Sequence, residues 1–133
     1  MSEIECFDNN IVFSVFSGYS NREIFLYESN LANHLINLHA DRDRNFLLDP
    51  KNLNIVANVI KDPDLVSKDL KHEERLNYFS IVNFTGFTGP SNVRITTEVV
   101  DAKKGELVTI SPFNHSSMRK AIGGGIIYDK HNT

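Results

Sequence analysis

From Ser29 to Pro63 the apolar residues recur at helical spacing, and on both sides of that segment they recur in strand-like runs. This change of period is what most restricts the fold. Leu31, Leu35 and Leu38 lie at i, i+4 and i+7, behind Ser29 or Asn30 as a cap. A second helix is bracketed by two Asp-Pro pairs. Asp49 caps it and Pro50 takes the first helical position, where its missing N–H costs nothing. Leu53, Val56, Ala57 and Ile60 form its apolar face. Asp62-Pro63 ends it, because a residue before proline avoids the helical region. Asp62 to Glu74 reads as a polar connector of mixed charge.

Ahead of the helices, Ile11 to Phe16 and Glu23 to Tyr27 surround a turn-rich segment and read as a hairpin or two short strands. Behind them, Leu76 to Phe84 is apolar and aromatic, and Gly86, Gly89 and Pro90 break the chain into turns before the next strand. Val93, Ile95, Thr97 and Val99 fall on one face of that strand, and Arg94, Thr96, Glu98 and Val100 on the other. Asp101 to Gly105 turns the chain into Glu106 to Ser111, whose alternating residues predict burial on both faces. Ile126-Ile127-Tyr128 is a last short strand. Strands, two helices, then strands predict one α+β domain over residues 1–133, with two helices packed on a mainly antiparallel sheet.

Composition narrows the function classes. A chain of 133 residues suits one domain, and no apolar run is long enough to span a bilayer. The single Cys6 has no disulfide partner and no second thiolate for a structural zinc site. Met1 to Asp8 carries three acids and no base, unlike a basic signal-peptide start, so the expected compartment is the cytoplasm. The net charge of −3 is uneven: residues 1–89 hold 13 acids and eight bases, residues 90–133 four acids and six bases. A dedicated nucleic-acid binder is usually basic overall, and this chain is not; the C-terminal third carries either a local basic face or ordinary surface charge. An acidic N-terminal portion can instead imitate nucleic acid toward a basic protein.

No motif of a known cofactor site is present, and neither a cofactor nor a metal is expected. Gly123-Gly124-Gly125 lacks a following Lys-Ser/Thr and precedes a strand, so it is not a phosphate loop. His34 and His39 are five apart on one helix, so their side chains diverge by about 140° and cannot share a metal. Each is either a packed or capping histidine or an acid–base group. A polar cluster holds Arg94, Thr109, Ser111, His115, Ser116, Ser117, Arg119 and Lys120. Arginine grips phosphate, hydroxyls donate to its oxygens, and histidine moves protons near neutrality. These are the parts needed to cleave RNA without a metal; the plain alternative is a solvated polar loop. Tyr78, Phe79, Phe84, Phe87 and Phe113 are either core residues or platforms for unpaired bases.

Asn33-His34-Leu35-Ile36-Asn37-Leu38-His39, then Val59 to Val66, then Lys71 to Val82, then Leu107-Val108-Thr109-Ile110-Ser111 resembles, in order and spacing, the barnase–EndoU–colicin–RelE-like (BECR) group of phage- and toxin-associated nucleases. The likeness spans roughly residues 23–113. It implies a compact α+β fold and metal-independent endoribonuclease activity, often on tRNA. It further implies His34 or His39 as acid–base residue, Arg94 as the strand cation, and Ser111 or Thr109 as the hydroxyl. Lys71 and Tyr78 would lie near the substrate, with His115 and Arg119 as further substrate-binding candidates from the polar cluster. The expected partners are RNA and a cognate immunity, antitoxin or host protein. The strand end departs from the group's usual Thr, small residue, aromatic; it reads Ser111-Pro112-Phe113. A fold kept without activity, serving as a non-catalytic inhibitor or protein-binding module, is the alternative.

Overall fold

The computed structural model describes residues 10–32, 44–113, 122 and 125–132. One sheet contains β1 (Ile11–Phe16), β2 (Glu23–Tyr27), β3 (Leu65–Lys68), β4 (Arg75–Val82), β5 (Ser91–Val99), β6 (Lys104–Phe113) and β7 (Ile126–Asp129). Their spatial order is β1-β2-β6-β5-β4-β3-β7. Strands β3 to β6 form an antiparallel meander in chain order, and β7 returns antiparallel to β3. The β1–β2 hairpin joins the other side through a short parallel ladder, Glu23 to Phe25 beside Lys104 to Glu106. The sheet is therefore mixed, with all pairings but this one antiparallel. The fold is α+β, as the change of period predicts.

Helix α1 (Glu28–Asn30) is a single turn that begins after Tyr27, ahead of the expected cap at Ser29 or Asn30; most of the first predicted helix lies outside the described residues. Leu31 packs against the core, whereas Leu35, Leu38 and both helix histidines lie outside the described residues. Helix α2 (Pro50–Lys61) has the predicted bounds. The Lys51 N–H donates to Asp49 Oδ1 at 2.9 Å, and the Asp62 N–H closes the far end on the Asn58 carbonyl. Its Val56, Val59 and Ile60 face the sheet. Asn52, buried beside them, fixes the helix start to the 3-10 turn Arg44–Leu48 and to the loop after β4 through Phe46 and Thr85 backbone groups. Among the described residues no helix is long and apolar enough to cross a membrane.

The α2-facing side of the sheet is the core. One row, Val66, Tyr78, Ile95 and Ile110, crosses four adjacent strands fully buried. Burying each such apolar side chain contributes about 1.5–3 kcal/mol. Two sequence readings need correction. The polar connector contains β3, because β4 and β7 flank Leu65–Lys68 and supply its hydrogen bonds from both sides. In β6 the alternation is broken. The register shifts between Thr96 and Thr97, which face Thr109 and Leu107, so Val108 is the extra residue of a bulge. Leu107 and Ile110 both reach the core, while Val108 and Thr109 are only half-buried.

Candidate functional site

The other sheet face is set by the period-two rule on the same strands. Two rows cross its centre. The first is Ser67, Asn77, Thr96 and Thr109; the second is Leu65, Phe79, Arg94 and Ser111. The first row is largely closed by its own hydrogen bonds. Thr96 Oγ1 donates to Asn77 Oδ1 at 2.7 Å, Asn77 Nδ2 donates to Asp69 Oδ1 at 3.3 Å, and Ser67 Oγ donates to the Ile122 carbonyl at 2.8 Å. At the strand ends Arg75 Nε pairs with Glu98 Oε1 at 3.0 Å.

The second row is not closed. Arg94 sits between Phe79 on β4 and Ser111 on β6. Its Nε is buried and has no hydrogen-bond partner among the described residues. Two residues away on the same face, Asn92 is 3% exposed and its Oδ1 also has none among them. The next carboxylate along this face of β5, Glu98, is engaged by Arg75. A buried donor left unpaired costs about 1–3 kcal/mol. Arg94 and the Ser111 hydroxyl thus stand side by side on this face.

A second group of polar side chains lies where β3, β4 and β7 meet. Asp64 Oδ2 accepts from Ser80 Oγ at 2.9 Å, and Asp64 Oδ1 lies 3.9 Å from both Lys130 Nζ and His131 Nε2. Lys130 also pairs with Asp62 at 3.1 Å, and the Asp62 carboxylate holds its ammonium above the usual lysine pKa. Beside this group, on the Arg94 face, is a hollow of about 320 Å³ walled by Leu65, Phe79 and Ile81. Its rim carries Asp64, Asp129 and His131.

The structure thus brings together Arg94 and Ser111, with Thr109 one row away opposite Thr96. It does not bring Tyr78 to them, so the reading of Tyr78 as a substrate contact is corrected. Its ring is in the core on the α2 side, and its hydroxyl shares a 2.7 Å hydrogen bond with Ser17 Oγ. Burial pushes the phenol pKa up. Lys71 is exposed in the β3–β4 connection, level with the Arg75 end of β4. Four residues of strand rise, about 13 Å, separate that end from the Arg94 row. Of the aromatic residues, Phe84 and Phe87 pack with Phe46 in the core. Phe79 and Phe113 meet edge to face on the Arg94 side, centroids 6.2 Å apart. His34, His39, His115 and Arg119 lie outside the described residues. Sequence reasoning missed Asn92, which the period-two rule places on the Arg94 face, and the Asp64–Ser80–His131 group, which no spacing signals. No family model, no curated protein and no solved structure matches this chain.

Proposed function

We propose that the chain is a metal-independent endoribonuclease of the BECR-like group, a toxin or phage effector, with the Arg94–Ser111 face holding the scissile phosphate. The observation that carries this reading is the buried Arg94 Nε, unpartnered among the described residues and directly across from a hydroxyl. Among common biological groups a phosphodiester supplies the missing acceptor and the opposite charge together. A helix followed by the β3–β6 meander also fits the order that the resemblance implies.

In this reading His34 or His39 takes the proton of the ribose 2′-OH. The oxygen attacks phosphorus, and Arg94 with Ser111 or Thr109 stabilises the charge on the phosphorane. Protonation of the 5′ oxygen releases it and leaves a 2′,3′-cyclic phosphate. The test is cleavage of total tRNA in EDTA by the wild type, Arg94→Ala and the double variant His34→Ala/His39→Ala. Cyclic phosphate ends that disappear in the variants support the reading; cleavage that survives in both removes it.

The second reading is a non-catalytic module that binds a basic protein. It is favoured by the excess of acids in residues 1–89, including the exposed Asp62, Glu73 and Glu74. A folded wild type that leaves tRNA intact and forms a stable complex with a basic immunity, antitoxin or host protein establishes it instead.

A further inference from the structure

We infer that the outer edge of β1 is a self-association site, where two copies of this chain pair β1 against β1, antiparallel, about a two-fold axis at Ser14. The inference does not rest on the nuclease reading. β1 is an outer strand of the sheet, and β2 is its only strand neighbour among the described residues. Its other side offers a row of backbone donors and acceptors to a further strand. Edge strands are ordinarily guarded by charge, proline or shortness. The opposite edge has such guards: β7 is four residues long and runs into Asp129-Lys130-His131. Ile11–Phe16 is six residues long and holds no charge and no proline.

The register of β1 selects a second copy as the strand that fits. Phe13 and Val15 lie beside Leu26 and Ile24 and pack against the core. Ile11, Ser14 and Phe16 lie beside Tyr27, Phe25 and Glu23, on the outer face. The bulge at Val12 takes up one residue, so Ile11 and Phe16 each stand two ladder steps from Ser14. A two-fold axis at Ser14 therefore sets Ile11 of each copy opposite Phe16 of the other, and Phe13 opposite Val15. Ile11 is 54% and Phe16 60% exposed in the single chain, and this one pairing covers both. Beside them the stacked rings of Phe25 and Tyr27 extend the apolar surface. No charge on β1 faces its own copy, so the like-charge penalty of a symmetric strand pair is absent.

The test is sedimentation equilibrium together with a cross-link that reads the register. Five facing positions make a contact below the standard interface size, so concentrations up to about 0.5 mM are needed. The mass should rise with concentration from 15.1 kDa toward twice that value. Phe16→Lys sets a cation opposite Ile11 and should weaken association about tenfold or more. Leu70→Lys, at an exposed apolar position in the β3–β4 connection, should leave association unchanged. In a Cys6→Ser background, Ser14→Cys should give a dimer with a short bis-maleimide, because facing Cα atoms in a ladder are about 4.5–5.5 Å apart. Val100→Cys in that background, exposed beyond the end of β5, should not. Association unmoved by Phe16→Lys, or dimers without the Ser14→Cys cross-link, overturns the inference. A monomer at every concentration also overturns it and leaves the edge to a strand of another protein.

Discussion

Arg94→Met should make the protein more stable while abolishing its response to phosphate. The wild type carries the desolvation cost of a buried Nε without an acceptor among the described residues, about 1–3 kcal/mol. Methionine keeps an unbranched stem beside Phe79 and carries no donor. Imperfect repacking in a volume shaped for arginine returns about 0.5–1 kcal/mol. Arg94 is only half-buried as a whole residue, so the cost counted is that of the Nε alone. The net gain is about 1 kcal/mol, a rise of about 0.5 M in the urea midpoint. Phosphate works the other way, since a ligand at ten times its Kd stabilises the wild type alone by about 1.4 kcal/mol. Urea unfolding followed by circular dichroism, in chloride and in phosphate at equal ionic strength, reads both effects. The stability order should reverse or level between the two buffers. A variant less stable in chloride by 1 kcal/mol or more, or equal phosphate stabilisation of both proteins, refutes the reasoning.

Gly18→Ala should cost about 2–4 kcal/mol in urea unfolding. Its Cβ would overlap the Lys61 carbonyl oxygen and force apart the Gly18 N–H···O bond to Ile60 that seats the hairpin turn on α2. Tyr78→Phe should lose about 1 kcal/mol, the hydrogen bond to Ser17, and leave phosphate affinity by calorimetry unchanged. Asp69 gives a pH signature. Burial pushes its carboxyl up, but hydrogen bonds from Asn77 Nδ2 and the Lys71 and His72 N–H groups together hold it below the ordinary 3.8. A folded-state pKa below the unfolded one means stability present above 3.8 and lost as pH falls through the folded value. Thermal melts through the acid range should show Asp69→Asn with a shallower decline than the wild type.

Most element bounds were legible because local chemistry dictates them. Asp49, Pro50 and Pro63 would delimit α2 in any tertiary setting. The β-branched run Ile11–Phe16 between asparagines and Ser17-Gly18 is likewise strand-forming by itself. Strand β3 was illegible for the opposite reason. Leu65-Val66-Ser67-Lys68 has only two apolar residues among charges and becomes a strand through the neighbours on its two sides. Alternation placed Arg94 opposite the core face of β5, and the hairpin reading brought Ser111 near it. For Tyr78 the resemblance misled: it implied a place near the substrate, although parity with Leu76 and Val82 puts the residue with the core. The Asp64, Ser80 and His131 group comes from three separate segments, so no sequence interval encodes it.

The parallel ladder between β2 and β6 also sets an assembly order. Glu23 pairs with Lys104, so the β1–β2 hairpin docks on a strand that leaves the ribosome well after it. Such long-range pairing forms slowly, whereas β3, β4 and β5 can pair as each is completed. Arg94 faces no Ser111 until β6 has been laid down. A nascent or truncated chain that stops before Lys104 lacks both halves of this closure. The Arg94–Ser111 pair is thus withheld until β6 has been made, a built-in delay for a protein proposed to attack RNA.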